Sequence, residues 1–387
     1  VIGAARKTQK FLMNNSFTDV EDFKAWINKS KELLQEKFSS HLYSGGINSV
    51  DKVKSVDAEY SQDPKMVDGR IILRENFDKL LDKEDRLIIF GQDSGKIGGV
   101  NQGLEGLQNK YGEIRVSDSG IREATIIGQG IGMALRGLKP IAEIQYLDYI
   151  LYCLQILSDD LATLSYRSKG RQISPLIIRT RGHRLEGIWH SGSPMAAMIH
   201  LLRGIHILVP RNMTQAAGFY NTLIQANQPA VVIESLNGYR IKEKMPSNLG
   251  EFSLPIGEIE LLRSGSDITL ISYGSTLRIV RQVAEDLEKY KISAEVIDIQ
   301  TLLPFDVKCE IKQSVAKTNR IVIIDEDMPG GASAYILQQL LDHQNIYPYL
   351  DTQPKLISAK PHRPAYGEDG DYFSKPSADD IFEETYE

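Results

Sequence analysis

The stretch Leu176-Ile-Ile-Arg-Thr-Arg-Gly-His-Arg-Leu-Glu-Gly-Ile-Trp-His-Ser-Gly-Ser-Pro194 decides how the chain folds. Its first five residues, Leu176–Thr180, form an apolar burst of strand length. Around and behind it lie Arg179, Arg181, His183, Arg184, Glu186, His190 and three glycines. Parallel sheets place their sites on such loops, at the carboxyl ends of the strands. Leu87–Phe90, Pro140–Tyr146, Ile205–Val209 and Ala230–Glu234 repeat the burst. Helical stretches near 121–137, 147–166, 194–203 and 212–227 separate them. Continuous apolar strands alternating with helices predict a parallel sheet covered on both faces.

A second series follows residues 251–266. Asp267–Tyr273, Ala294–Ile299, Arg320–Asp325 and Lys355–Ala359 read as strands, with helices near 276–290, 306–316 and 332–342. The fold class is therefore α/β, with two doubly wound domains of mainly parallel strands, 66–250 and 251–387. Residues 236–255 are the expected connector. Upstream, 18–38 read as an amphipathic helix, with Thr18 and Glu21 in capping-box spacing. Residues 39–64 carry Gly, Ser and Asp and read as a linker. The arm 1–65 has no core of its own and must pack on the body, a partner or another domain. A chain of 387 residues is long enough for two to three domains. Lys and Arg number 45 against 51 Asp and Glu, so no basic surplus points to nucleic acid. The sequence holds no apolar run of about 18 residues, so no membrane span is expected. Two cysteines, Cys153 and Cys309, cannot build a disulfide framework or a thiolate zinc site.

Gly128-Gln-Gly130-Ile-Gly132 imitates a dinucleotide fingerprint, but a helix is already under way there, so nicotinamide binding is rejected. Gly128 and Gly132 share a helical face that lets another element approach closely. Glu123, near the start of that apolar helix, is either a carboxylate favoured by the helix dipole or one held in a dry site. His190 is either a surface residue or part of a titratable cluster. Tyr149 and Tyr152, one turn apart, read as core packing. Met328-Pro-Gly-Gly opens a helix that could receive an anion. Glu368-Asp-Gly-Asp371 reads as a solvated acidic turn.

Taken in order, several segments resemble one family. They are Phe90-Gly-Gln-Asp, Gly120-Ile-Arg-Glu-Ala-Thr-Ile-Ile-Gly-Gln-Gly-Ile-Gly, Ala142-Glu-Ile-Gln-Tyr-Leu-Asp-Tyr, Trp189-His-Ser-Gly-Ser-Pro, Val209-Pro-Arg-Asn and Pro229-Ala-Val-Val-Ile-Glu. The family is the β chain of the thiamine-diphosphate-dependent 2-oxo acid dehydrogenases, and the resemblance runs from about residue 66 to the end. It implies a pyrimidine-binding domain followed by a transketolase-type C-terminal domain. It implies that Glu123 hydrogen-bonds the aminopyrimidine ring nitrogen and that Tyr149 stacks on that ring. His190 then assists acyl transfer to a lipoyl group, and Gln145 and Gln92 stand among the cofactor-binding residues. The Glu-Ile-Gln-aromatic-x-Asp-Tyr run is closer to the branched-chain members than to the pyruvate members.

The family holds magnesium and the diphosphate on a Gly-Asp-Gly motif that is absent here. The resemblance therefore implies an α-type chain or domain as partner, a β-chain homodimer inside a heterotetramer-like whole, and a lipoyl acyltransferase as acceptor. No metal ligand is expected on this chain, except that a potassium ion near Gln225-Ala-Asn-Gln-Pro229 stays open. Gln92 stands where family members carry Glu, which breaks an acidic path between paired sites. The expected compartment is the cytoplasm, or the mitochondrial matrix in a eukaryote. Val1 and the coreless arm lead us to expect a longer, fused α/β polypeptide. A transketolase or deoxyxylulose-phosphate synthase fragment is the alternative enzyme, and a non-catalytic scaffold for the acyltransferase core is the alternative of another class.

Overall fold

The computed structural model describes residues 1–15, 20–183, 190–364 and 369–387. Fourteen strands occur among them. The first eight are β1 (Met66–Asp68), β2 (Leu87–Gly91), β3 (Val116–Asp118), β4 (Lys139–Ile144), β5 (Ile177–Gly182), β6 (His206–Leu208), β7 (Ala230–Ser235) and β8 (Lys242–Lys244). The rest are β9 (Glu260–Arg263), β10 (Ile268–Ser272), β11 (Ala294–Asp298), β12 (Thr301–Leu303), β13 (Ile321–Ile324) and β14 (Lys355–Ile357).

A seven-stranded sheet runs β12-β6-β7-β5-β4-β2-β3, parallel except at β12. Register pairs Ile141 with Ile177 and Ile177 with Ala230. Ile141, Ile177 and Val232 join one apolar core with the helices Gly69–Lys83 and Met213–Gln225. Ala142, Ile144, Ile178 and Ile233 join the other core. Both faces are buried, which is why the strands read as unbroken apolar bursts rather than alternating ones. The helix Gly69–Lys83 lay outside the sequence reading, though Ile72, Leu73, Phe77, Leu80 and Leu81 bury one face of it.

The second sheet runs β14-β13-β10-β11-β9, parallel except at β9. Leu277, Val280, Val283, Ala284 and Leu287 seal it from the helix Leu277–Glu288, at helical spacing. The two units are not separate bodies. β12 leaves the second series and adds an antiparallel edge to the first sheet, beside β6. One core also runs through both, from Phe90 and Ile178 to Ile271, Ile297 and Ile323.

Two expectations change. Residues 39–64 are not a free linker: Val50 is buried, its N–H donates to Gln228, and Val56 bridges Ser253. A buried backbone needs partners, and this segment finds them on the first unit. The stretch 147–166 is not one helix but a 3-10 turn at Leu147–Tyr152 followed by short helical and π turns to Ser168. Helix Val20–Ser39 is present, but Thr18 lies outside the described residues.

The Met328-Pro-Gly-Gly turn receives the protein's own carboxylate. Asp327 accepts the N–H groups of Ala196 at 3.1 Å and Ala332 at 3.3 Å on one oxygen and of Met328 at 2.9 Å on the other. It therefore caps the starts of Met195–Leu201 in one unit and Ala332–Gln338 in the other. Burial, and then the charge of Asp325, push its carboxyl up to about 6. The unfolded value is about 3.9. A raised carboxyl favours its neutral form in the fold, so this contribution is complete at low pH and fades as pH rises from about 4 to about 6. Relative to Asp327→Asn, the wild type should lose urea resistance across that window and hold a constant gap above it. A gap that does not change with pH would refute the assignment.

Candidate active site

The carboxyl ends of β2 and β4 bring Phe90-Gly-Gln-Asp beside Gln145-Tyr-Leu-Asp-Tyr. The Gln145 amide donates to Asp93 Oδ2 at 2.8 Å and to the Gln92 carbonyl at 3.4 Å. Asp93 has φ 57°, a left-handed conformation that aspartate tolerates better than most residues. The N–H groups of Gly95 and Lys96 donate to the Asp118 carboxylate, which ties this loop to the end of β3. Gln92 and Gln145 therefore belong to one bonded patch.

Below the patch lies a buried ion network. Arg179 donates to Glu143, to Glu234 at 2.8 Å and to the Tyr239 hydroxyl at 3.1 Å. Arg181 donates to Glu143 at 2.7 Å, to Tyr239 at 2.9 Å and to the Gln145 carbonyl at 3.1 Å. All four charged side chains are fully buried. Burial alone would raise the Glu143 carboxyl, but Arg181 and Arg179 outweigh it and hold it below its usual range. With both carboxylates already on them and no solvent access, the two arginines brace the sheet. Arg184, Glu186 and Trp189 lie outside the described residues. His183 is buried, takes the N–H of Ser275 at 3.0 Å, and is pushed down to about 3 by burial.

Above the patch three rings meet. His190 lies flat on Tyr146, with centroids 3.7 Å apart and planes at 6°. Tyr149 meets His190 edge-on at 5.3 Å and Tyr146 at 5.7 Å. His190 takes a left-handed φ of 56°. Tyr149 is half-buried and packs against the core while its ring also meets His190 and Tyr146, and Tyr152 is 70% exposed. Tyr146 carried no separate signal, because its neighbours hid it inside an apolar run.

Glu123 is the first residue of the helix Glu123–Leu135 and is half-buried. Ile126, Ile127, Gly130 and Ala134 pack that helix on the sheet. A Cβ on Gly130 would come within 2.7 Å of Leu176, which explains that glycine. The expected close approach at Gly128 and Gly132 is not made within this chain, where both face open space. Burial first, and then neighbouring charges that include Glu123, raise the Tyr149 hydroxyl. Burial and Glu123 push the Cys153 thiol up to about 12. The field of Glu123 therefore reaches the ring cluster. Ile97, Ile121, Leu151 and Tyr152 are exposed on the turns nearby, an apolar rim of the kind that partners cover. Among the described residues, no group of three or more His, Cys, Asp or Glu is placed to hold a metal ion. No helix among them is long and apolar enough to cross a membrane.

Residues 65–242 match the family description "Transketolase, pyrimidine binding domain", and 257–373 match "Transketolase, C-terminal domain". A solved chain titled "Split gene transketolase, inactive beta4 tetramer" superposes with TM-score 0.65 at 17% identity, over 83% of this chain and 98% of that one. Transketolase of Campylobacter jejuni gives 0.57 at 14%, over 95% and 52%. Fold and domains define a protein of the transketolase type. The 2-oxoisovalerate dehydrogenase subunit beta of Bacillus subtilis is 33% identical over 254 residues, 65% of this chain and 77% of that one. The pyruvate dehydrogenase E1 component subunit beta of Acholeplasma laidlawii is 30% identical over 284, covering 73% and 86%. The mitochondrial 2-oxoisovalerate dehydrogenase subunit beta of Dictyostelium discoideum is 32% identical over 320, covering 80% and 85%. The chain belongs to the β chains of the thiamine-diphosphate-dependent 2-oxo acid dehydrogenases.

Proposed function

We propose that residues 66–250 supply the pyrimidine half of a thiamine diphosphate site for oxidative decarboxylation of a 2-oxo acid. An α-type chain supplies the diphosphate and magnesium half. The observation that carries this reading is the ring cluster of His190 stacked on Tyr146 with Tyr149 edge-on to both. The residues present fit the group: a tyrosine ring, a half-buried carboxylate, and the Gln145 amide on the bonded patch beside them. When bound, the cofactor supplies the electron sink for loss of carbon dioxide. Glu123 holds a proton shared with a ring nitrogen, a role that a partly dry carboxylate performs better than a solvated one. Tyr149 orients the ring. His190, fixed on Tyr146, assists transfer of the acyl group to a lipoyl arm.

The exposed rim and the open Gly128–Gly132 face favour an obligate α-type partner, with two copies of this chain inside the whole. A branched-chain 2-oxo acid is favoured over pyruvate by the Glu143-to-Tyr149 run. Gln92 does not titrate, so it relays no proton between paired sites. The reading places the enzyme in the cytoplasm or the mitochondrial matrix. The assembled enzyme should reduce lipoylated acyltransferase domains with branched 2-oxo acids and leave sugar phosphates untouched. Turnover of sugar phosphates alone would move it to the transketolases.

A further inference from the structure

We propose that Asp148 is a positioning residue that fixes the loop carrying His190, and that Arg363 of the second unit secures it. The proposal rests on the role given to His190 above. Asp148 lies in the turn Leu147–Tyr152, one residue before Tyr149. Its Oδ2 accepts the N–H of Gly192 at 3.2 Å, and its Oδ1 accepts Nη1 of Arg363 at 2.9 Å. The carboxylate is 14% exposed and the arginine 72%. The carboxylate is therefore the fixed end of the contact and the arginine the movable one.

Gly192 shows how tight this contact is. A Cβ there would overlap the Asp148 carboxylate. The loop backbone therefore lies directly on the carboxylate two residues after His190. His190 itself is left-handed and stacked on Tyr146, an arrangement that surrounding structure has to hold. Upstream, the loop is anchored where Gly182 pairs with Ser235 across β5 and β7. Asp148 supplies the downstream anchor. Arg363 reaches it across a cleft of about 310 Å³ bounded by Ser191–Pro194 on one side and by Met328 and Lys375 on the other. The C-terminal unit thereby bears on the step that uses His190, without touching the reacting atoms.

The test uses the full chain assembled with its α-type partner. Asp148→Asn keeps an oxygen for the Gly192 N–H, whereas Asp148→Ala removes it. Misplacing His190 should slow acyl transfer to a lipoylated domain by roughly tenfold or more in Asp148→Ala, because small displacements cost large factors. Asp148→Asn and Arg363→Gln, which remove only the ion pair to an exposed arginine, should each lose about threefold. Decarboxylation read with an artificial electron acceptor should stay within about twofold in all three.

A second readout is independent of turnover. In the full chain labelled with ¹³C-histidine, the His190 ring signals, assigned by their loss in His190→Gln, should be displaced by the Tyr146 ring. They should move toward the unstacked position in Asp148→Ala and hold in Asp148→Asn. Unmoved signals in Asp148→Ala, or equal loss of both partial reactions, would overturn the proposal. Wild-type turnover in Arg363→Gln would remove Arg363 from it. A wild-type enzyme without decarboxylase activity would sink the functional reading, and the ring signals would still decide the anchor.

Discussion

Glu123→Gln in the assembled enzyme is expected to lose decarboxylation by about 10²–10⁴-fold, the range for removing a positioned acid–base group. The side chain opens the helix Glu123–Leu135, half-buried, and its charge bears on Tyr149 and Cys153. Glutamine has the same shape and keeps the hydrogen-bonding oxygen, but it cannot hold the shared proton. The fold should therefore survive: the packing residues Ile126, Ile127, Gly130 and Ala134 are untouched. Steady-state decarboxylation and circular dichroism of the same preparation check both halves. Activity near wild type would remove Glu123 from the mechanism.

Arg179→Met should be the most destabilising of the single changes considered. Arg179 serves Glu143, Glu234 and Tyr239, and its guanidinium lies 5.3 Å from the Phe77 ring centroid. Removing it leaves two buried carboxylates with one arginine, Arg181, which is bonded to Glu143. Breaking a buried ion network from one side costs about 3–5 kcal/mol. In a chain of this size that corresponds to a fall in Tm of about 4–6 °C. Tyr220→Phe, which deletes only the 2.7 Å hydrogen bond to Glu234, should cost about 1 kcal/mol. Thermal unfolding of the two variants side by side is the check. Equal shifts would mean that the network contributes no more than one hydrogen bond.

Much of this was visible in the sequence. The bursts at 87–90, 140–146, 176–180 and 230–234 are strands because both their faces are buried, so apolar residues dominate them and the charges they carry, Glu143, Arg179 and Glu234, are paired inside the sheet. Short edges were not visible. β3 and β12 are three residues each, too short for any period to show. β12 also belongs to the sheet of the other unit, a long-range pairing that no local pattern announces. The docking of Val50 on Gln228 was hidden because the few apolar residues of that segment are scattered among polar ones with no strand or helix period. Of the residues proposed for the site, Glu123, Tyr149 and His190 came from the family pattern. Asp148 and Tyr146 were not, since their roles appear only when the loop after β5 returns to the end of β4. The four charges inside the sheet look like surface residues until register sets Glu143 opposite Arg179 and Arg181 opposite Glu234.

The central claim is that this chain holds half of a thiamine diphosphate site and needs an α-type partner to complete it. Calorimetric titration of thiamine diphosphate with magnesium, into the chain alone and into the chain assembled with that partner, tests it most directly. Saturable binding only in the assembly, weakened by Glu123→Gln, is the predicted result. Equally tight binding to the chain alone, or none in the assembly, would contradict it.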